Sequence, residues 1–190
     1  MKRTRGNMLF PNIGSAEVLS RMPRNIEIKA RVNDPEETRK LLDSLNDSPY
    51  EILSQKDMFF HTREGRLKLR FLGDGSAELI SYNRQDEVGP KQSEYTICPV
   101  QHPDLLLKAL SDSLGVAGIV EKTRVLRHVG QTRVHLDRVK GLGDYLELEV
   151  VLRPDQSEEE GRSIAEELMR RLGIRSESLI AGAYVDILPH

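Results

Sequence analysis

Tyr145-Leu146-Glu147-Leu148-Glu149-Val150-Val151-Leu152 alternates in polarity along its length. Successive side chains of a β-strand point to opposite faces. Tyr145, Glu147, Glu149 and Val151 therefore share one face, and Leu146, Leu148, Val150 and Leu152 share the other. The same split recurs upstream. Asn25, Glu27, Lys29 and Arg31 alternate with Ile26, Ile28, Ala30 and Val32; Arg66, Lys68 and Arg70 alternate with Leu67, Leu69 and Phe71; Arg133, His135 and Asp137 alternate with Val134 and Leu136. Lys122 and Arg124 lie on one side of a further run, and Arg84 and Lys91 end and begin two more.

Read outward from these runs, strands are predicted over 24–32, 55–61, 66–72, 77–84, 91–98, 118–128, 132–139 and 145–152. Turn signals separate them, among them Glu64-Gly65, Gly73-Asp74-Gly75 and Gly141-Leu142-Gly143. Most neighbours are too close in sequence for a crossover helix, which predicts antiparallel pairing. Three segments carry helix-start chemistry. Asp34-Pro35-Glu36-Glu37 precedes Leu41, Leu42 and Leu45; His102-Pro103 opens a run that Gly115 closes; Ser157 and Glu160 form a capping box ahead of Ile164, Ala165 and Leu168, with Gly173 beyond. The class is α+β, with eight strands forming a barrel or a strongly curled sheet.

The 190 residues suffice for one domain with a real core. A net charge of -2 argues against nucleic acid or an anionic membrane surface as partner. The single cysteine, Cys98, excludes an internal disulfide and fits a reducing compartment such as the cytoplasm. No apolar run approaches the roughly 20 residues of a membrane span. Residues 1–22 read as a disordered extension. A targeting reading competes, because the segment bears arginine and lacks acid early, although Pro11 interrupts any amphipathic helix. Cys98, beside Pro99, reads as a strand end rather than a nucleophile. His61, His102 and His128 read as surface residues near turns, and the pattern leaves Lys56 and Asp57 unassigned between a rim and solvent.

The charged faces admit two readings. In an ordinary antiparallel sheet the apolar face is the core and the charged face meets water. Alternatively the sheet closes with its charged face inward and the helices cover the apolar outside. Burying so many ions is costly unless they pair or meet a ligand. Such an interior needs a multiply anionic guest accompanied by a cation, and a metal–triphosphate meets both demands.

Asn25-Ile26-Glu27-Ile28-Lys29 resembles the ExExK signature of the CYTH superfamily, the triphosphate tunnel metalloenzymes, which include class IV adenylate cyclases and thiamine and inorganic triphosphatases. Later motifs follow in a similar order: Arg66-Leu-Lys68-Leu-Arg70, then Glu121-Lys122-Thr123-Arg124, then His135-Leu-Asp137 with Gly141-Leu-Gly143-Asp-Tyr145-Leu-Glu147-Leu-Glu149. The resemblance runs from about Pro23 to the C-terminus and implies one domain over 23–190, an eight-stranded closed antiparallel barrel with a charged interior. It implies that Lys29, Lys68, Arg70, Lys122 and Arg124 act catalytically on the phosphates. Arg84, Lys91, Arg133 and His135 would contact substrate. Glu27, Glu147, Glu149 and Asp137 would hold Mg²⁺ or Mn²⁺. The implied activity is a metal-dependent triphosphatase, with a class IV-like adenylate cyclase or a non-catalytic polyphosphate-binding module as alternatives. The implied partner is a small triphosphate-bearing molecule, and a homodimer is compatible. Asn25 departs from the pattern: it stands in place of the first glutamate, and its amide can ligate a metal but brings no charge.

Overall fold

The structure, a computed structural model, describes residues 23–45 and 49–189, so the N-terminal extension expected over 1–22 lies outside the described residues. The described residues form eight strands: β1 (Arg24–Arg31), β2 (Glu51–Phe60), β3 (Arg66–Leu72), β4 (Ala77–Arg84), β5 (Lys91–Pro99), β6 (Val116–Val129), β7 (Thr132–Val139) and β8 (Gly143–Val151). They close into a barrel in the order β1-β5-β4-β3-β2-β6-β7-β8, and every pairing is antiparallel.

The helices are α1 (Pro35–Leu45), α2 (Pro103–Leu114), α3 (Glu158–Arg171) and the single turn α4 (Tyr184–Ile187). The first three start where their caps predict. Asp34 accepts from the Glu37 amide at 2.9 Å, and Ser157 and Glu160 cap each other reciprocally. These helices cover the apolar outside of the barrel. Ile28, Ala30, Val134, Leu146 and Leu148 pack with Leu42 of α1, with Leu168 of α3 and with Leu172 just beyond it. Ile26, Val150 and Leu152 meet Ala165 of α3, while α2 lays Leu106, Leu107 and Leu110 against Phe60, Leu69 and Ala77. Burying each such leucine or isoleucine contributes about 1.5–3 kcal/mol. Gly161 lets α3 approach this closely: a Cβ there would lie 2.5 Å from the Leu152 side chain and 2.6 Å from Ile26. Among the described residues, no helix is long and apolar enough to cross a membrane.

β2 and β6 are the strands that most exceed the lengths their patterns predict. β2 begins at Glu51 because its first residues pair only with β6; pairing with β3 starts at Gln55. After α3 the chain crosses one end of the barrel, a segment with no periodicity to announce it. The Ile180 amide donates to the Lys29 carbonyl at 2.9 Å, and α4 follows, carrying Tyr184 to the barrel interior.

Candidate functional site

The barrel encloses a cavity of about 290 Å³, and the charged faces line it. Strand register fixes which ions meet. On β1 and β8, Lys29 lies opposite Glu147 and Glu27 opposite Glu149; on β7 and β8, His135 lies opposite Glu147 and Arg133 opposite Glu149. β2 and β3 set Asp57 opposite Arg70. The order in which alternation points residues inward thus becomes a ring of facing charges.

The cations are held by the carboxylates in two clusters. In one, Lys68 Nζ reaches Asp57 Oδ2 at 2.8 Å while Arg70 donates to both Asp57 oxygens, at 2.7 and 2.9 Å. In the other, Arg124 forks onto Asp137 at 2.7 and 2.6 Å and also bonds Glu147, while Lys122 reaches Asp137 at 3.1 Å. Lys29 pairs with Glu147 at 2.8 Å, Arg133 with Glu149 at 2.9 Å, and Arg84 with Glu27. Two carboxylates facing each other across strands, such as Glu27 and Glu149, repel. Here each has its own arginine.

Burial penalises every one of these charges, and the pairing decides which survive. Burial alone would raise the Asp57 carboxyl, but Lys68 and Arg70 outweigh it and hold the group far below the carboxylate range. Glu147 is likewise held down against burial by Lys29 and Arg124, and Glu149 by His135 and Arg133. Lys68 goes the other way. Burial and the adjacent Arg70 push its pKa down to about 7 against the pull of Asp57. Burial, then Arg124, lowers Lys122 too, and the same two causes lower His135.

The structure brings Glu27, Lys29, Lys68, Arg70, Arg84, Lys122, Arg124, Arg133, His135, Glu147 and Glu149 to this one cavity. Two residues named from sequence are not on its wall. Asp137 lies behind it, with its carboxylate taken up by Lys122, Arg124 and the Tyr184 hydroxyl, the last at 3.0 Å. Lys91 faces a separate depression beside Arg84, where its ammonium donates to the Glu87 and Ala181 carbonyls at 2.6 and 2.8 Å. Asn25 is buried on the cavity wall, and among the described residues its Oδ1 has no hydrogen-bond partner.

Asp57 and Tyr184 belong to the site without a clear sequence signal. Asp57 could have been placed only by knowing that Gln55 and Phe59, its neighbours in parity, face inward. Tyr184 sits under Lys29, whose ammonium lies 3.9 Å from the ring centroid, and it packs edge-on against Tyr145.

The arrangement suits a divalent cation. Glu147, Glu149 and His135 offer ligand atoms that all lie within 4.8 Å of one another, and Glu27 faces them from β1. Carboxylate oxygens are the ligands that hard ions such as Mg²⁺ and Mn²⁺ favour.

The CYTH domain family model matches residues 23–184. Among the curated proteins none matches the chain. Solved structures share the fold. A Pyrococcus horikoshii OT3 protein superposes with a TM-score of 0.79 at 24% identity, over 87% of this chain and 99% of its own. A Vibrio parahaemolyticus protein described as a candidate adenylate cyclase gives 0.70 at 18%, over 86% and 96%. A Hippeastrum protein, described as a candidate adenylyl cyclase with a dominant triphosphatase activity, gives 0.57 at 18%, over 84% and 91%.

Proposed function

Because this chain belongs to the CYTH family, we propose that it is a divalent-metal-dependent enzyme that hydrolyses a triphosphate-bearing substrate. The observation that carries the reading is convergence: Lys68, Arg70, Lys122 and Arg124 reach from β3 and β6 into one cavity whose other side carries Glu27, Glu147 and Glu149.

Phosphoryl transfer asks little covalent help of a protein; positioning and charge neutralisation carry most of the acceleration. The lysines and arginines would take the phosphate oxygens, the arginines through two N–H groups at once. They are already held in place by Asp57 and Asp137, so binding need not order long flexible side chains. A bound divalent cation would neutralise phosphate charge and render a water more acidic. Glu147 and Glu149 would hold that cation, with Glu27 facing them. Asn25 contributes an amide oxygen to the same wall but no charge, which limits how many cations the acids can balance.

Beside the charged belt the cavity wall also carries Leu53, Ile80, Ile97, Tyr82 and Tyr95. That apolar and aromatic surface favours a triphosphate with an organic group attached over the bare inorganic ion. It also keeps the second reading in play, an adenylate cyclase, in which a ribose 3′-hydroxyl attacks the α-phosphate and pyrophosphate leaves. Purified protein supplied with Mg²⁺ or Mn²⁺ and with tripolyphosphate, thiamine triphosphate or ATP should release phosphate. Cyclic AMP with pyrophosphate from ATP would select the cyclase instead, and binding without turnover on any of them would reduce the protein to a polyphosphate-binding module.

A further inference from the structure

We infer that His135 is a direct ligand of the divalent cation together with Glu147 and Glu149, which biases the tunnel toward Mn²⁺ or Co²⁺ over Mg²⁺. The inference rests on reading the tunnel as a metal–triphosphate site.

His135 is 3% exposed, and among the described residues its Nδ1 has no hydrogen-bond partner. Buried polar atoms nearly always have one, so a nitrogen left open asks for an occupant. The nitrogen lies 3.6 Å from Glu147 Oε2 and 3.8 Å from Glu149 Oε1. Both separations are too long for hydrogen bonds. They suit two ligands of one ion, each about 2.0–2.2 Å from it.

Of the oxygens facing the ring, Glu149 Oε1 is left by its outer pair, while Glu147 Oε2 also receives Arg124. Lys29 takes Glu147 Oε1 and Arg133 takes Glu149 Oε2. Such outer partners orient ligands toward a metal. A nitrogen flanked by two carboxylates is also a poor seat for a phosphate oxygen and a good one for a cation. Asp137, the other acid on β7, is occupied by Lys122 and Arg124 and cannot take the place of His135. Mg²⁺ prefers oxygen in near-octahedral order, whereas imidazole suits the later divalent ions.

The test is Mn²⁺ binding to the full chain without substrate, followed by electron paramagnetic resonance and pulsed measurement of nitrogen hyperfine coupling. The wild-type protein should show a coupling that changes on selective ¹⁵N-histidine labelling. His135→Gln, with its fold checked by circular dichroism, should lose the coupling and bind Mn²⁺ at least about tenfold more weakly. Mg²⁺ competition should move far less. Mn²⁺ bound to the wild type without histidine coupling overturns the inference and leaves the triphosphatase reading standing. No Mn²⁺ binding at all overturns both. The wild-type spectrum decides even if the variant fails to fold.

Discussion

Asp57 on β2 receives both the Nε and the Nη2 of Arg70 on β3, at 2.7 and 2.9 Å, deep inside the barrel. The same carboxylate takes Lys68 at 2.8 Å. One anion thus holds two of the cations expected to grip phosphate. A buried carboxylate is tolerated because it is paired, and the cations are pre-set by it.

Removing that anion should therefore unmask repulsion. Asp57→Asn leaves Lys68 and Arg70 facing each other without their counter-charge, and breaking a buried pair in this way costs about 3–5 kcal/mol. Urea unfolding should show the loss. Tripolyphosphate should restore more stability to the variant than it adds to the wild type, because the ligand supplies the missing negative charge.

Lys68 makes a pH-dependent prediction. Its folded pKa, about 7, lies below the ordinary 10.5 of a lysine. Below pH 7 it is charged both folded and unfolded, and the fold bears the cost of the buried charge. Between pH 7 and 10.5 only the unfolded chain holds the proton, so this residue's contribution raises stability with pH. Binding runs in the opposite sense. A polyanion beside Lys68 restores the proton, so affinity for tripolyphosphate should fall as pH rises above 7. At pH 8 calorimetry in buffers of different ionisation enthalpy should register proton uptake, and Lys68→Met should diminish it.

Lys122 should matter to turnover more than to folding. Asp137 keeps its bidentate bond from Arg124 when Lys122 is replaced by methionine. The loss of one pre-positioned charge at the phosphates should lower kcat by about 10²–10³-fold. Equal rates for Lys122→Met and wild type would contradict the role assigned to it.

The strap that carries Tyr184 should contribute through its ring more than through its hydroxyl. Tyr184→Phe keeps the ring beneath Lys29 and against Tyr145 and loses the bond to Asp137, a loss of about 1 kcal/mol. Tyr184→Ala opens the end of the barrel and should cost about 3–5 kcal/mol. Thermal unfolding of the pair separates the two contributions.

Much of this was legible in sequence because period-two alternation is a direct image of a two-faced strand. β8 declares Glu147 and Glu149 on one side and Leu146, Leu148 and Val150 on the other; all three apolar residues are fully buried under helices. The caps of α1 and α3 were equally plain. Alternation alone does not say which face turns inward; closure of the barrel does, and the resemblance of ordered motifs implied it. Parity also carries no depth along the axis. Lys91 begins β5 in the parity of Ser93 and Tyr95, which reach the cavity, yet at the strand end it turns to the neighbouring depression. Asp57 was ambiguous because Lys56 beside it offered a charge to the opposite face. The strap's helical pieces, a 3-10 turn at Ser176–Ser178 and the single turn α4, are too short for any periodicity to show.

The central claim is that the inward ions together seat a metal-bearing polyphosphate. Its most direct measurement is a crystal structure grown with tripolyphosphate and Mn²⁺. The account predicts phosphate density bounded by Lys29, Lys68, Arg70, Lys122 and Arg124, with the Mn²⁺ anomalous peak beside Glu147 and Glu149. Phosphate bound only on the outer surface, with the barrel interior keeping its internal ion pairs, would contradict it.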